Sequence, residues 1–237
     1  MRFIVFTLFI TICFVKQGFS QKPSEPVNSG AMLKKGIKLH DDKDFSGALE
    51  FYEKIPRNDT NYLLGLYERS LSLNALKRYE ESAEVARMGL KFKSEYDSDF
   101  YVSLGSSLDE LDKKEEAIEA YTEGIKRFPY NNMLYFNRAV TYRKMEKHQE
   151  AVDDIRSSIR LNPLHASSHY FLGLAALEED KVIECLLAYN TFLLLEPLSD
   201  RSRNVVSVLD GLNKDKSEMT PKGIKLSPSG DDFSEIE

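Results

Sequence analysis

The sequence has no tryptophan and only two cysteines, Cys13 and Cys185. Two cysteines so placed exclude a disulfide-stapled scaffold. Cys13 lies inside an apolar leader, so a chain that loses the leader keeps Cys185 alone and draws its stability from packing. Basic residues are not in excess either. Lys and Arg total 32 against 38 Asp and Glu, a net charge of −6. Such a balance is repelled by nucleic-acid phosphates and by anionic lipid, so neither is an expected partner. Glycine-rich phosphate loops, a Gly-x-Ser-x-Gly elbow and a His-Glu-x-x-His pair are also missing. Catalysis, a cofactor and a metal are therefore not expected.

The opening run is apolar but short. Arg2 precedes 13 residues from Phe3 to Val15, interrupted only by Thr7, Thr11 and Cys13. A membrane-spanning helix needs roughly 20 apolar residues. The run ends in Lys16-Gln17-Gly18-Phe19-Ser20, with small residues where a signal peptidase requires them. Residues 1–20 read as a cleaved signal peptide, with a mature N-terminus at Gln21 and no stable membrane insertion afterwards. Cys13 follows Ile12 inside the run, which argues against a lipoprotein. Without Arg2 and Lys16 the chain carries 30 basic and 38 acidic residues, net −8. The expected location is a periplasm or the exterior.

The remaining chemistry-bearing residues have bland readings. His165 and His169 stand four apart, a metal-ligand spacing on a helix, yet His169 holds a core-facing slot and no third ligand is evident. His40-Asp41-Asp42-Lys43-Asp44 is acidic but lacks the glycine and alternating oxygens of a calcium loop. Cys185 holds a small slot, where a thiol acts as a small hydrophobe. Asn58-Asp59-Thr60 is a glycosylation sequon if the host is eukaryotic.

What the chain does contain is a period. Tyr101, Leu104-Gly105, Leu108, Ala117, Tyr121, Gly124 and Pro129 return 34 residues later as Tyr135, Arg138-Ala139, Tyr142, Ala151, Ile155, Ser158 and Pro163. They return again as His169, Leu172-Gly173, Ala176, Cys185, Tyr189 and Pro197. Two small-residue series keep the same steps of 34, 35, 34 and 34. The first is Gly36, Ser70, Gly105, Ala139, Gly173, and the second is Ala48, Ser82, Ala117, Ala151, Cys185. Within a unit, Tyr101, Leu104, Gly105 and Leu108 share one helical face, as do Ala117, Ala120, Tyr121 and Gly124 on the next helix. Small residues let two axes approach while aromatics fill the gap beside them. Each pair has an apolar face that it can bury only by stacking.

This pattern resembles the tetratricopeptide repeat family, whose units place a large residue, Leu-Gly, a Tyr, an Ala, an aromatic and a Pro at these offsets. The proline slot is filled only at Pro129, Pro163 and Pro197, and Ala86 stands where an aromatic is usual. The resemblance implies an all-α, right-handed superhelical solenoid. Its expected parts are a linker at 21–28 and five repeats at 29–62, 63–97, 98–131, 132–165 and 166–199. A capping helix at 200–212 follows, with Val205, Val208, Leu209 and Leu212 on one face, then an acidic tail at 213–237.

The resemblance also implies a protein or peptide partner in a concave groove lined by the first helices. The residue after each large slot runs Leu33, Tyr67, Val102, Phe136, Tyr170, and four further on Ile37, Leu71, Ser106, Val140, Leu174. Apolar rows at groove positions suit peptide anchors, and aromatics dominate binding hot spots. The expected groove is Tyr67, Leu71, Val102, Phe136, Val140, Tyr170 and Leu174, with Asn137 and Arg143 as polar contacts. The first of these rows could equally serve packing alone, and Phe233 and Ile236 of the tail are candidate occupants. Some family members grip acidic chaperone tails through a Lys/Asn/Arg clamp. Asn137 matches one clamp residue, but Val102, Ser106, Ser167 and Phe171 fill the other slots, so no clamp is expected. An exported interaction scaffold is the leading expectation. A structural or assembly subunit of an envelope or secretion complex is the alternative. Pentatricopeptide RNA binders share the period, but the acidic charge and the leader oppose that reading.

Overall fold

The computed structural model describes residues 28–217; the expected leader, most of the linker, and Phe233 and Ile236 lie outside them. Among the described residues there are eleven α-helices and no strand. Five antiparallel pairs come first: α1 (Ser29–Asp41) with α2 (Phe45–Tyr52), α3 (Tyr62–Ala75) with α4 (Tyr79–Leu90), α5 (Asp97–Glu110) with α6 (Lys114–Arg127), α7 (Asn132–Lys144) with α8 (His148–Leu161), and α9 (Ala166–Glu178) with α10 (Val182–Leu195). A single helix, α11 (Asp200–Ser217), packs on α10. Several starts are set by side chains that accept an orphan backbone N–H: Asn28 from Ala31 at 3.0 Å, Asp44 from Gly47 at 2.9 Å, and Asn131 from Met133 at 2.9 Å.

Each pair closes through one residue in the left-handed region. Lys43, Lys77, Asp112, Glu146 and Asp180 all have φ near +60°, at steps of 34, 35, 34 and 34. The short charged turns are thus one conformation repeated five times.

All ten predicted small positions are buried. Their burial follows a size rule sixteen residues long. A β-carbon on Gly36, Gly105 or Gly173 would come within 2.4 Å of the ring of Tyr52, Tyr121 or Tyr189 respectively. Where the slot is larger, the partner shrinks: Ser70 goes with Ala86, and Ala139 with Ile155. Ala86, the departure noted above, is therefore the complement of Ser70 and is fully buried. Repeat 4 makes a further exchange. Arg138 holds the leucine slot and forks onto Asp154 of α8 at 2.7 and 2.8 Å, with Thr122 of α6 at 2.9 Å.

Successive pairs are joined by a second size rule, across the seam. A β-carbon on Gly65 would lie 2.8 Å from Ile55, one on Gly89 2.3 Å from Phe100, and one on Gly124 2.9 Å from Leu134. Each of these seams has a large plug in a glycine notch. The seam between repeats 4 and 5 has two serines instead, Ser158 and Ser168, hydrogen-bonded at 2.9 Å. Among the described residues the buried clusters number three: Leu33, Ala48, Tyr52 and Ile55 in repeat 1, a run from Leu49 to Leu134, and a run from Ala176 to Val205, with no cluster spanning the last seam.

The last helix corrects an expected boundary. α11 continues to Ser217 rather than ending at 212, because no proline interrupts the chain before Pro221.

Candidate binding groove

The helices of each pair are not equivalent. First helices meet one another, α1 with α3, α3 with α5, and α5 with α7, whereas successive second helices are held apart. The first helices therefore form the tighter inner wall and the second helices the outer one. α7 and α9 stand further apart in backbone than the other first-helix neighbours and meet through side chains.

The predicted groove residues are all half-buried on the first helices, but they separate into two groups. Tyr67 meets Phe100 edge-on at 6.3 Å, and Val102 packs on the same cluster. Tyr170 is likewise a packing residue, 5.2 Å from the Phe192 ring and 6.2 Å from that of Tyr189, with the Arg201 guanidinium 5.3 Å above it. Leu71 and Leu174 are half-buried beside them.

Phe136 behaves differently. The small Ser168 at the seam offers it no plug to lean on, and its ring meets His165 at 4.7 Å and Phe171 at 5.5 Å, both edge-on. Below this trio opens a cleft of about 410 Å³ lined by Val140, Arg143, Lys144, His148, Phe171 and Glu178. An adjoining hollow of about 210 Å³ shares Arg143, His148 and Glu178 and reaches Ala151 and Ala175. The structure thus brings Phe136, Val140 and Arg143 together, and leaves Tyr67, Val102 and Tyr170 in packing roles. Asn137 turns inward on its own helix, its Nδ2 donating to Met133 O at 2.8 Å.

Charges at the cleft are matched within the fold. Arg143 donates to Glu178 at 2.6 Å while lying 5.8 Å over the Phe171 ring. Lys144 reaches back to Asp109 at 2.6 Å and Glu110 at 3.2 Å. Burial first, then electrostatic repulsion from His169 and Arg201, holds His165 below its ordinary pKa, which favours the neutral ring that packs edge-on with Phe136. Its Nδ1 pairs with Ser168 Oγ at 2.7 Å. His169 is buried, its Nε2 pointing at Pro163 O at 2.8 Å. Further up the wall, burial pushes the Asp99 carboxyl above its usual range, and burial with Asp41 does the same to Glu68.

Phe171, Lys144, His148 and Glu178 were not expected in the groove. A row that counts one residue per repeat selects Tyr170 and passes over its neighbour Phe171. His148 opens a second helix, where no first-helix periodicity reaches it.

This architecture is an all-α solenoid of tetratricopeptide-like helix pairs. Residues 98–131 and 136–182 match two family models, both described as tetratricopeptide repeat, which supports the family that the sequence resembles. Among solved structures, the fold is similar to a thermophilic TPR protein of Thermus thermophilus, with a TM-score of 0.65 at 16% identity over 76% of this chain and 98% of that one. It is also similar to MamA of Desulfovibrio magneticus, with a TM-score of 0.56 at 16% identity over 74% and 98%. A TPR repeat-containing protein of Methanocaldococcus jannaschii is 26% identical over 83% of this chain and 29% of its own length. Hsp70-Hsp90 organizing protein 1 of Glycine max is 25% identical over 89% of this chain and 36% of its own. The chain thus spans little more than a third, or less, of the length of these relatives.

Proposed function

We propose that this protein is an exported interaction scaffold that holds an apolar segment of a peptide or partner protein against the inner wall between α7 and α9. The observation that carries the reading is the Phe136–Phe171–His165 trio above the Val140/Arg143 cleft. Rigid aromatics half-exposed beside a cleft are the anchors that peptides use, and the Arg143–Glu178 pair offers one charge of each sign at the rim. The similarity to an Hsp70-Hsp90 organizing protein supports a binding role over a catalytic one. Export rests on the short leader, and mass spectrometry of the native protein should find its N-terminus at Gln21; an intact Met1 in a cytosolic fraction would overturn that part.

Panning a displayed peptide library against the protein tests the site. Selected peptides should carry a large apolar residue, and Phe136→Ala or Phe171→Ala should weaken them about tenfold, roughly 1.4 kcal/mol, while the helical fold survives by circular dichroism. Equal binding by both variants would place the site elsewhere. Tyr170→Ala, by contrast, should cost stability as well as affinity, because its ring packs on Phe192.

A further inference from the structure

The inner wall carries its charge unevenly. At the α7–α9 end Arg143 pairs with Glu178, and Lys144 with Asp109 and Glu110. At the other end stand Asp41 of α1, Glu68 of α3 and Asp99 of α5. Among the described residues, no Lys, Arg or His forms an ion pair with any of the three, and none of their carboxylates accepts a hydrogen bond. Nearby bases are engaged elsewhere. Arg69, next to Glu68 in the chain, turns to Glu53 at 3.0 Å, and Arg127 is taken by Asp97 at 3.0 Å. The three acids are drawn together because α3 packs on both α1 and α5.

Two tyrosines sit among them. Burial, then the negative charges of Asp99 and Glu68, pushes the Tyr67 hydroxyl above its ordinary pKa. Burial, then Glu68 and more weakly Asp41, does the same to Tyr52. Tyr52 is only 4% exposed, and its hydroxyl makes no aligned hydrogen bond. Ser72 lies beside it, but that hydroxyl is engaged by His40 Nδ1 at 2.8 Å. Glu68 and Asp99 are themselves half-buried. A carboxylate that loses hydration and gains neither cation nor donor weakens the fold. Such uncompensated groups concentrate where a ligand supplies the missing partner.

We propose that this end of the wall takes a lysine or arginine side chain of the partner, so that the groove reads a basic residue as well as an apolar one. The proposal rests on the groove reading above, with the apolar residue held at Phe136 and Phe171. A side-chain cation fits better than a metal ion. The acids among the described residues are not grouped closely enough to ligate a metal. A long cation with several donors can reach carboxylates on neighbouring helices, and the half-buried Tyr67 ring beside them suits an ammonium or guanidinium group. Packed helices stand roughly 8–10 Å apart, so the two steps from the α3–α5 junction to the α7–α9 junction span on the order of 20 Å. An extended chain covers about 3.3 Å per residue, which puts the basic residue about six positions from the apolar anchor.

Fluorescence anisotropy of the full chain with three labelled peptides tests this. Each peptide has one Phe, flanked about six positions away on both sides by paired arginines, citrullines or glutamates. The arginine peptide should bind about tenfold more tightly than the citrulline peptide, and the glutamate peptide most weakly. Glu68→Gln/Asp99→Asn should abolish that preference, leave the citrulline peptide unchanged, and melt no lower than wild type. A wild type that treats arginine and citrulline alike overturns the inference, as does a double variant that keeps the preference. A double variant that melts well below wild type overturns it too, because the carboxylates would then be holding the fold. Phe136→Ala separates the two readings. An arginine preference that survives it supports the basic site and counts against the aromatic one. Phe136-dependent binding with no arginine preference does the reverse.

Discussion

Gly105 and Tyr121 form the smallest unit of this fold, because the glycine exists to receive the ring. A β-carbon at 105 would meet the ring at 2.4 Å, so any side chain there must expel it. Repeat 2 solves the same problem with Ser70 and Ala86. Gly105→Ser should therefore cost about 1–3 kcal/mol by overpacking, and Tyr121→Ala about 3–5 kcal/mol by leaving a cavity. Combined, they recreate the Ser/Ala pair, and the double variant should be more stable than the sum of the two losses by 1 kcal/mol or more. Urea denaturation of the four proteins measures this, and strict additivity would mean that the two residues do not share one space. Glu119→Leu, on the exposed face of the same helix, should be close to neutral.

The turns and seams belong to the scale of elements. The five turns within pairs each place a non-glycine residue at φ near +60°, where a β-carbon costs about 1–2 kcal/mol. Lys77→Gly should gain roughly 0.5–1 kcal/mol after the entropy that glycine adds to the unfolded chain. Glu84→Gly, inside α4, should lose about 1 kcal/mol. A fall in the urea midpoint of Lys77→Gly would show that the turn conformation is wrongly assigned. These elements were legible in the sequence to different depths. The paired helices and the ten small positions were visible because a 34-residue period repeats them, and periodicity needs no knowledge of neighbours. The role of Ala86 was hidden because it depends on Ser70, sixteen residues away in the chain. Phe171 was hidden because its exposure depends on the small Ser168 at the seam, which a row of equivalent positions cannot register.

At the scale of the molecule, one seam of the stack differs from the rest. The buried cluster that runs from Leu49 to Leu134 does not reach across it, and α9, α10 and α11 share a cluster of their own beyond it. The seam between them carries the Ser158–Ser168 hydrogen bond where other seams carry an aromatic or aliphatic plug. Surface ion pairs cross it, Arg143–Glu178 and Arg156–Glu184, but such pairs contribute little. The wider spacing of α7 and α9 opens the inner wall where Phe136 and Phe171 meet, so the proposed binding cleft and the missing plug share one place in the fold. A bound peptide that touched both α7 and α9 would tie the two sides of the seam together. Hydrogen exchange of the full chain, alone and with a panned peptide, tests this most directly. The account predicts that α9 to α11 exchange as a separate, less protected set in the free protein, and that the peptide raises protection in α7 and α9 together. Uniform protection along the free chain, with peptide effects confined to the second helices, would contradict it.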